Sequence, residues 1–159
     1  MIFRTLTTNE RAETPGFTHV GVVTADDLTQ TTVTVAQLIQ FCALVAGDQV
    51  LRVGWNLRLP FQNTAVPGDN ATTASVGDTA AVGTHLAPAV VNVNGTEIIW
   101  RAGNTAVLYT AADKLTVNFI PTTGSALSAL NRGELHVFFS LSRLKQISDA
   151  IGAASPFKP

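Results

Sequence analysis

The chain has 159 residues, a charged fraction of 13% and a formal net charge of -1. That length is one domain, able to bury a core without disulfide or metal staples. Ten Lys and Arg against eleven Asp and Glu leave no basic surplus for phosphate neutralisation, so no nucleic-acid partner is expected.

The single cysteine, Cys42, excludes an internal disulfide and a multi-cysteine metal site. It lies in an apolar run, where a buried and inert thiol is expected. No apolar run reaches about 18 residues, so no membrane-spanning helix is expected. Residues 1–15 lack the charged, apolar, small-residue order of a signal peptide, so synthesis in a cytoplasm without export is expected. The charged fraction is well below the usual ~25%. Thr, Ser, Asn and Gln must supply the polar surface, and so few charges protect weakly against association. Two readings stay open at this point. Partners cover much of the surface in an assembly, or the protein is simply a neutral, Thr-rich β domain.

Residues 1–16 carry little strand pattern and are expected as an N-terminal arm. Residues 17–24 and 31–41 are rich in Thr and Val, which suit a pleated surface. Residues 37–44 are also compatible with a helical turn or two. Ala46, Gly47 and Asp48 mark a turn. Residues 49–61 form the clearest strand: Leu51, Val53, Trp55, Leu57, Leu59 and Phe61 alternate with Arg52, Gly54, Asn56 and Arg58. A period of two puts the odd set on one buried face.

Residues 63–73 have no periodicity and read as a loop. A single helical turn is expected near residues 77–81, and another near 125–130. Asn94 and Gly95 supply the two positive-φ residues of a type I′ hairpin turn, which pairs Val91 with Ile98 and Ala89 with Trp100. Leu115, Val117 and Phe119 alternate with Lys114, Thr116 and Asn118. Leu135, Val137, Phe139 and Leu141 alternate with Glu134, His136, Ser140 and Ser142, and Phe138 breaks the rule. Pro60, Pro88 and Pro121 fall at strand ends, where a missing N–H is tolerated.

The tally is about eight short strands with no long helix. It predicts an all-β, antiparallel jelly-roll-like β-sandwich with extended N- and C-terminal arms. The expected limits are residues 1–16 for the first arm, 17–147 for the sandwich and 148–159 for the second arm.

No residue set carries a catalytic signature. His19, His85 and His136 lack metal-ligand spacing, and Asp26 with Asp27 reads as a solvated turn. There is no phosphate-binding glycine loop and no nucleophile elbow. No catalytic residue, cofactor or metal is therefore assigned, and an enzyme is not expected. A pocket gathering His85, Asp78 and a second histidine would reverse that. Trp55 and Trp100 fall on apolar faces and are expected in the core; Tyr109 is left open between core and surface.

Three features in order carry a family resemblance. They are Val76-Gly-Asp-Thr-Ala80 after a Thr-rich strand, Tyr109-Thr-Ala-Ala-Asp113 leading into an alternating strand that ends at Pro121, and a Gly-Ser-Ala-Leu-Ser-Ala-Leu link before Gly133-Glu-Leu-His-Val137. Together they span about residues 72–144. In this stretch the chain resembles the jelly-roll decoration, or cement, proteins of tailed bacteriophages. The resemblance implies a virion structural protein on the outer head surface that binds major capsid protein and stabilises contacts between its subunits. It implies a homo-oligomer, a trimer before a dimer, and no catalytic residues. With the arms as clamps, Ile2, Phe3 and Phe157 would be apolar anchors. The alternative is a carbohydrate- or receptor-binding module of a phage tail or fibre.

Overall fold

The computed structural model describes residues 1–66, 72–91, 100–103, 106–121 and 126–143. Ten strands lie among them: β1 (Ile2–Thr5), β2 (His19–Thr24), β3 (Gln37–Leu44), β4 (Asp48–Gln62), β5 (Thr72–Gly77), β6 (Leu86–Val90), β7 (Trp100–Gly103), β8 (Val107–Leu108), β9 (Asp113–Pro121) and β10 (Arg132–Arg143). One short helix, α1 (Thr8–Glu13), follows β1. The two extra strands beyond the expected eight are the short β1 and β8.

The strands form two antiparallel sheets. The larger runs β1-β2-β10-β4-β7, with β8 also pairing β4; the smaller runs β3-β9-β5-β6. The pairs nest: β2 with β10, β3 with β9, β4 with β7 and β8, β5 with β6. A long antiparallel hairpin rolled onto itself gives this nesting, and rolling adds the β4–β10 and β5–β9 pairs. That is the jelly roll expected from the strand pattern.

The core lies between the sheets. Leu115, Val117 and Phe119 face it from the smaller sheet, and Leu135, Val137 and Phe139 from the larger; all six are fully buried. The two alternating runs thus form opposite walls of one core, with Leu141 partly buried at its rim. Trp55 and Phe61 are also fully buried, each contributing about 1.5–3 kcal/mol relative to exposure.

The odd-position rule on β4 fails at its start. The ladder to β10 shifts between Ser140, opposite Arg52, and Leu141, opposite Val50. The extra residue is Leu51. Such a bulge reverses the phase of the strand, so Val50 enters the core and Leu51 is exposed.

Phe138 has an equally local cause. A second, smaller core of Leu6, Phe17, Val20 and Phe138 sits on the outside of the larger sheet. Phe17 and Phe138 pack with centroids 5.8 Å apart, and the Arg52 guanidinium lies 4.9 Å above the Phe17 ring. Residues 1–16 are therefore no extended arm. Ile2–Thr5 pairs with β2, and α1 is held by a reciprocal cap in which Thr7 and Glu10 bond each other's backbone N–H. The apolar residues flanking the helix give this segment a surface to fold onto.

Residues 77–81 form a side-chain-held turn rather than a helical one, whereas Leu127–Ala129 is a 3-10 turn. The Asn94–Gly95 hairpin, the Trp100 side chain and residues 144–159 lie outside the described residues.

Candidate functional site

Two arrangements of polar side chains stand out. The first is buried at the joint between the β5–β6 loop and β8. Tyr109, at the end of β8, has its backbone fixed by bonds from its N–H to Asp48 O (2.9 Å) and from Gly47 N–H to its carbonyl (2.8 Å). Its hydroxyl donates to Asp78 Oδ2 at 3.1 Å, and His85 Nε2 lies 2.9 Å from the Tyr109 hydroxyl oxygen. Asp78 Oδ1 accepts from the N–H groups of Ala80 and Ala81 at 3.1 and 2.8 Å. All three side chains are buried.

The geometry sets the protons. The single hydroxyl proton of Tyr109 goes to the carboxylate, so its oxygen accepts from His85 Nε2–H. His85 is then the neutral Nε2–H tautomer, and its buried Nδ1 has no partner among the described residues. Burial pushes the His85 pKa down, against the pull of Asp78. Burial and the Asp78 carboxylate push the Tyr109 pKa up. The tyrosine stays protonated and the imidazole neutral, which suits a lock on the loop. Asp113 adds to it: its Oδ1 accepts from Thr79 N–H at 3.1 Å and from the Thr79 hydroxyl.

The sequence placed no weight on His85 near Asp78, and the fold joins them through Tyr109. No second histidine joins them. His19 stacks on Phe3, with centroids 5.5 Å apart, and His136 bonds Glu134 on β10. Cys42 is half-buried, and burial pushes its thiol up to about 11, so it is a poor nucleophile. No group of three or more His, Cys, Asp or Glu able to hold a metal occurs among the described residues. No helix among them is long and apolar enough to cross a membrane.

The second arrangement is a groove of about 520 Å³ on the outside of the larger sheet, beneath α1. Val20, Val22 and Phe138 line it with Asn56, Arg58 and His136, and Arg4, Glu10 and Glu13 wall it from β1 and α1. Arg4 Nη1 and Nη2 bond both oxygens of Glu10, at 2.7 and 2.5 Å. That contact, with the Thr7 bonds, holds the Glu10 carboxyl well below the usual range. Arg58 is exposed, and Asn56 Oδ1 is buried without a partner among the described residues. The even face of β4, opposite the main core, is thus half covered.

Of the expected anchors, Ile2 is 59% exposed on the edge strand β1. Phe3 points the other way: it is partly buried and packs on Phe41 and Phe139, with centroids 6.2 and 5.9 Å away. Its side chain is occupied within the chain. Phe157 lies outside the described residues.

No protein-family model matches this chain, and no curated protein matches its sequence. Two solved structures are similar. A chain of the cyanophage Pam1 capsid asymmetric unit aligns with TM-score 0.48 and 21% identity, over 76% of this chain and 81% of that one. A chain of the acid-stable capsid of Helicobacter pylori bacteriophage KHP30 aligns with TM-score 0.44 and 12% identity, over 87% and 93%. Both are chains of phage capsids, which describes those chains.

Proposed function

We propose that this chain is a non-catalytic structural protein of a phage virion. It binds the outer surface of the head and ties neighbouring major capsid subunits together. The carrying observation is a surface short of charge and rich in exposed apolar side chains. Ile2, Leu38, Leu51 and Leu108 stand out on strands of a rigid sandwich, while Asp78, Tyr109 and His85 are committed to holding a loop. Such a surface is suited to being covered. A modest contact repeated over a symmetric shell gains avidity when each copy, or each oligomer, touches several subunits.

The test is co-sedimentation of purified protein with capsid shells assembled without it. Saturable binding and a raised shell dissociation temperature are expected. Failure to sediment with the shells overturns the reading.

The groove favours a second reading, a glycan-binding module. Asn56 Oδ1 lacks a donor among the described residues, and exposed Arg58 and Glu13 offer a donor and an acceptor to a hydroxylated ligand. A strong glycan-array signal abolished by Asn56→Ala would support it; an array without signal would remove it.

A further inference from the structure

The open edges of the two sheets are not alike. On the larger sheet, β1 has four residues and includes Arg4; β7 has four and includes Arg101; β8 has two. On the smaller sheet, β6 has five residues and includes Pro88. Short strands, charges and prolines are the usual devices that stop an edge from pairing with another chain. Strand β3 is the exception. It has eight residues, Gln-Leu-Ile-Gln-Phe-Cys-Ala-Leu, with no charge and no proline, and its only blunting device is a register shift at Phe41. It pairs with β9 on one side and with no strand on the other among the described residues.

The approach to β3 extends this strip. No charged residue occurs between Asp27 and Asp48. Val35 N–H bonds Thr32 O, and the turn places Thr34 at φ 64. A β-branched residue is rarely found in that left-handed region. The turn presents Val33 and Val35, 46% and 41% exposed, just ahead of Leu38 at 53%. Three exposed apolar side chains thus lie beside an open, uncharged ladder.

We propose that β3 is the self-association edge of this protein. Two copies pair their β3 strands antiparallel about a two-fold axis, joining their smaller sheets into one and covering Val33, Val35 and Leu38. Neutrality selects a second copy as the occupant. In a two-fold interface each residue meets a residue of the same strand, so any charge near the axis meets its like. A strip without charges satisfies that condition in every register. The inference goes beyond the capsid-binding reading and holds whether or not the protein binds shells.

Sedimentation equilibrium of the full chain tests it, with Leu38→Lys/Gln40→Lys as the edge variant and Leu108→Lys, on β8, as the control. Both replaced edge side chains are exposed, so the fold is retained, and circular dichroism checks that. The wild type is expected to show a monomer–dimer equilibrium, weakened at least about tenfold by the edge variant and unchanged in the control. Amide exchange in β3 should slow with concentration in the wild type only. A wild type that is monomeric throughout, a trimer, or a dimer that withstands the edge variant overturns the proposal. So does a dimer broken by Leu108→Lys instead.

Discussion

The hydroxyl of Tyr109 donates to Asp78 Oδ2 at 3.1 Å, across 31 residues of sequence and inside the protein. The bond links β8 to the loop between β5 and β6, and His85 completes it from the loop's far end. Tyr109→Phe keeps the ring and deletes the bond. Asp78 Oδ2 and His85 Nε2 both lose a buried partner, at about 1–3 kcal/mol for each orphaned group. Urea unfolding should show a lower midpoint with an unchanged slope.

The two depressed histidines make stability pH-dependent. Burial lowers the pKa of His85 and of His19, the latter aided by Arg143 and Arg11. In the unfolded chain both return to about 6.5. Below that pH the unfolded state binds protons that the folded state refuses, so stability falls with acidification. A flat melting temperature above about pH 7, declining from about 6.5 downward, is expected. A further decline follows at lower pH, where Asp27 and Asp113, both held below the usual carboxylate range, must be protonated. Melting curves from about pH 2 to about pH 8 check both windows.

Gly21 on β2 allows a close approach. A Cβ there would lie 2.3 Å from the Phe41 ring, which Phe3 and Phe139 also contact. The ring is hemmed in by these neighbours, so Gly21→Ala should destabilise by about 1–3 kcal/mol through overpacking. Chemical denaturation of the variant measures it.

Phe17 pins the N-terminal segment. Phe17→Ala removes its contact with Phe138 and the ring beneath Arg52, opening a cavity at a cost of about 3 kcal/mol or more if the site does not collapse. The loss is local to the second core. Amides in α1 and at Leu6, whose N–H bonds Thr18 O, should exchange much faster, while those of β9 keep their protection. Hydrogen exchange by mass spectrometry resolves the two regions.

Much of the sandwich was legible because period two is a direct signature of a half-buried strand. Residues 113–121 and 132–143 show it plainly. What escaped was whatever broke the period. Nothing in residues 49–61 announces the bulge at Leu51, because it arises in the register with β10. Phe138 did stand out as an anomaly; its partners, Leu6 and Phe17, lie over a hundred residues away. The helix had a local sign, Thr7 followed by Glu10, the spacing of a capping box. The Asp78–Tyr109–His85 lock had none, since its members come from separate turns and meet only when the hairpin rolls up. The groove beneath α1 is likewise assembled from β1, α1, β2, β4 and β10, and no single segment foretells it.

The nesting of β2 with β10 also governs how the chain can fold. Val20 lies opposite Phe138, so β2 and the whole N-terminal segment have no inner neighbour until nearly the full chain has been made. Contacts this remote carry a large loop-closure cost and place the protein among slow folders, on the order of milliseconds to seconds. During synthesis β3, uncharged along its whole length, emerges long before β9 is made to pair with it. The nascent chain therefore passes through an aggregation-exposed interval, and crowding many copies on one message would be its hazard.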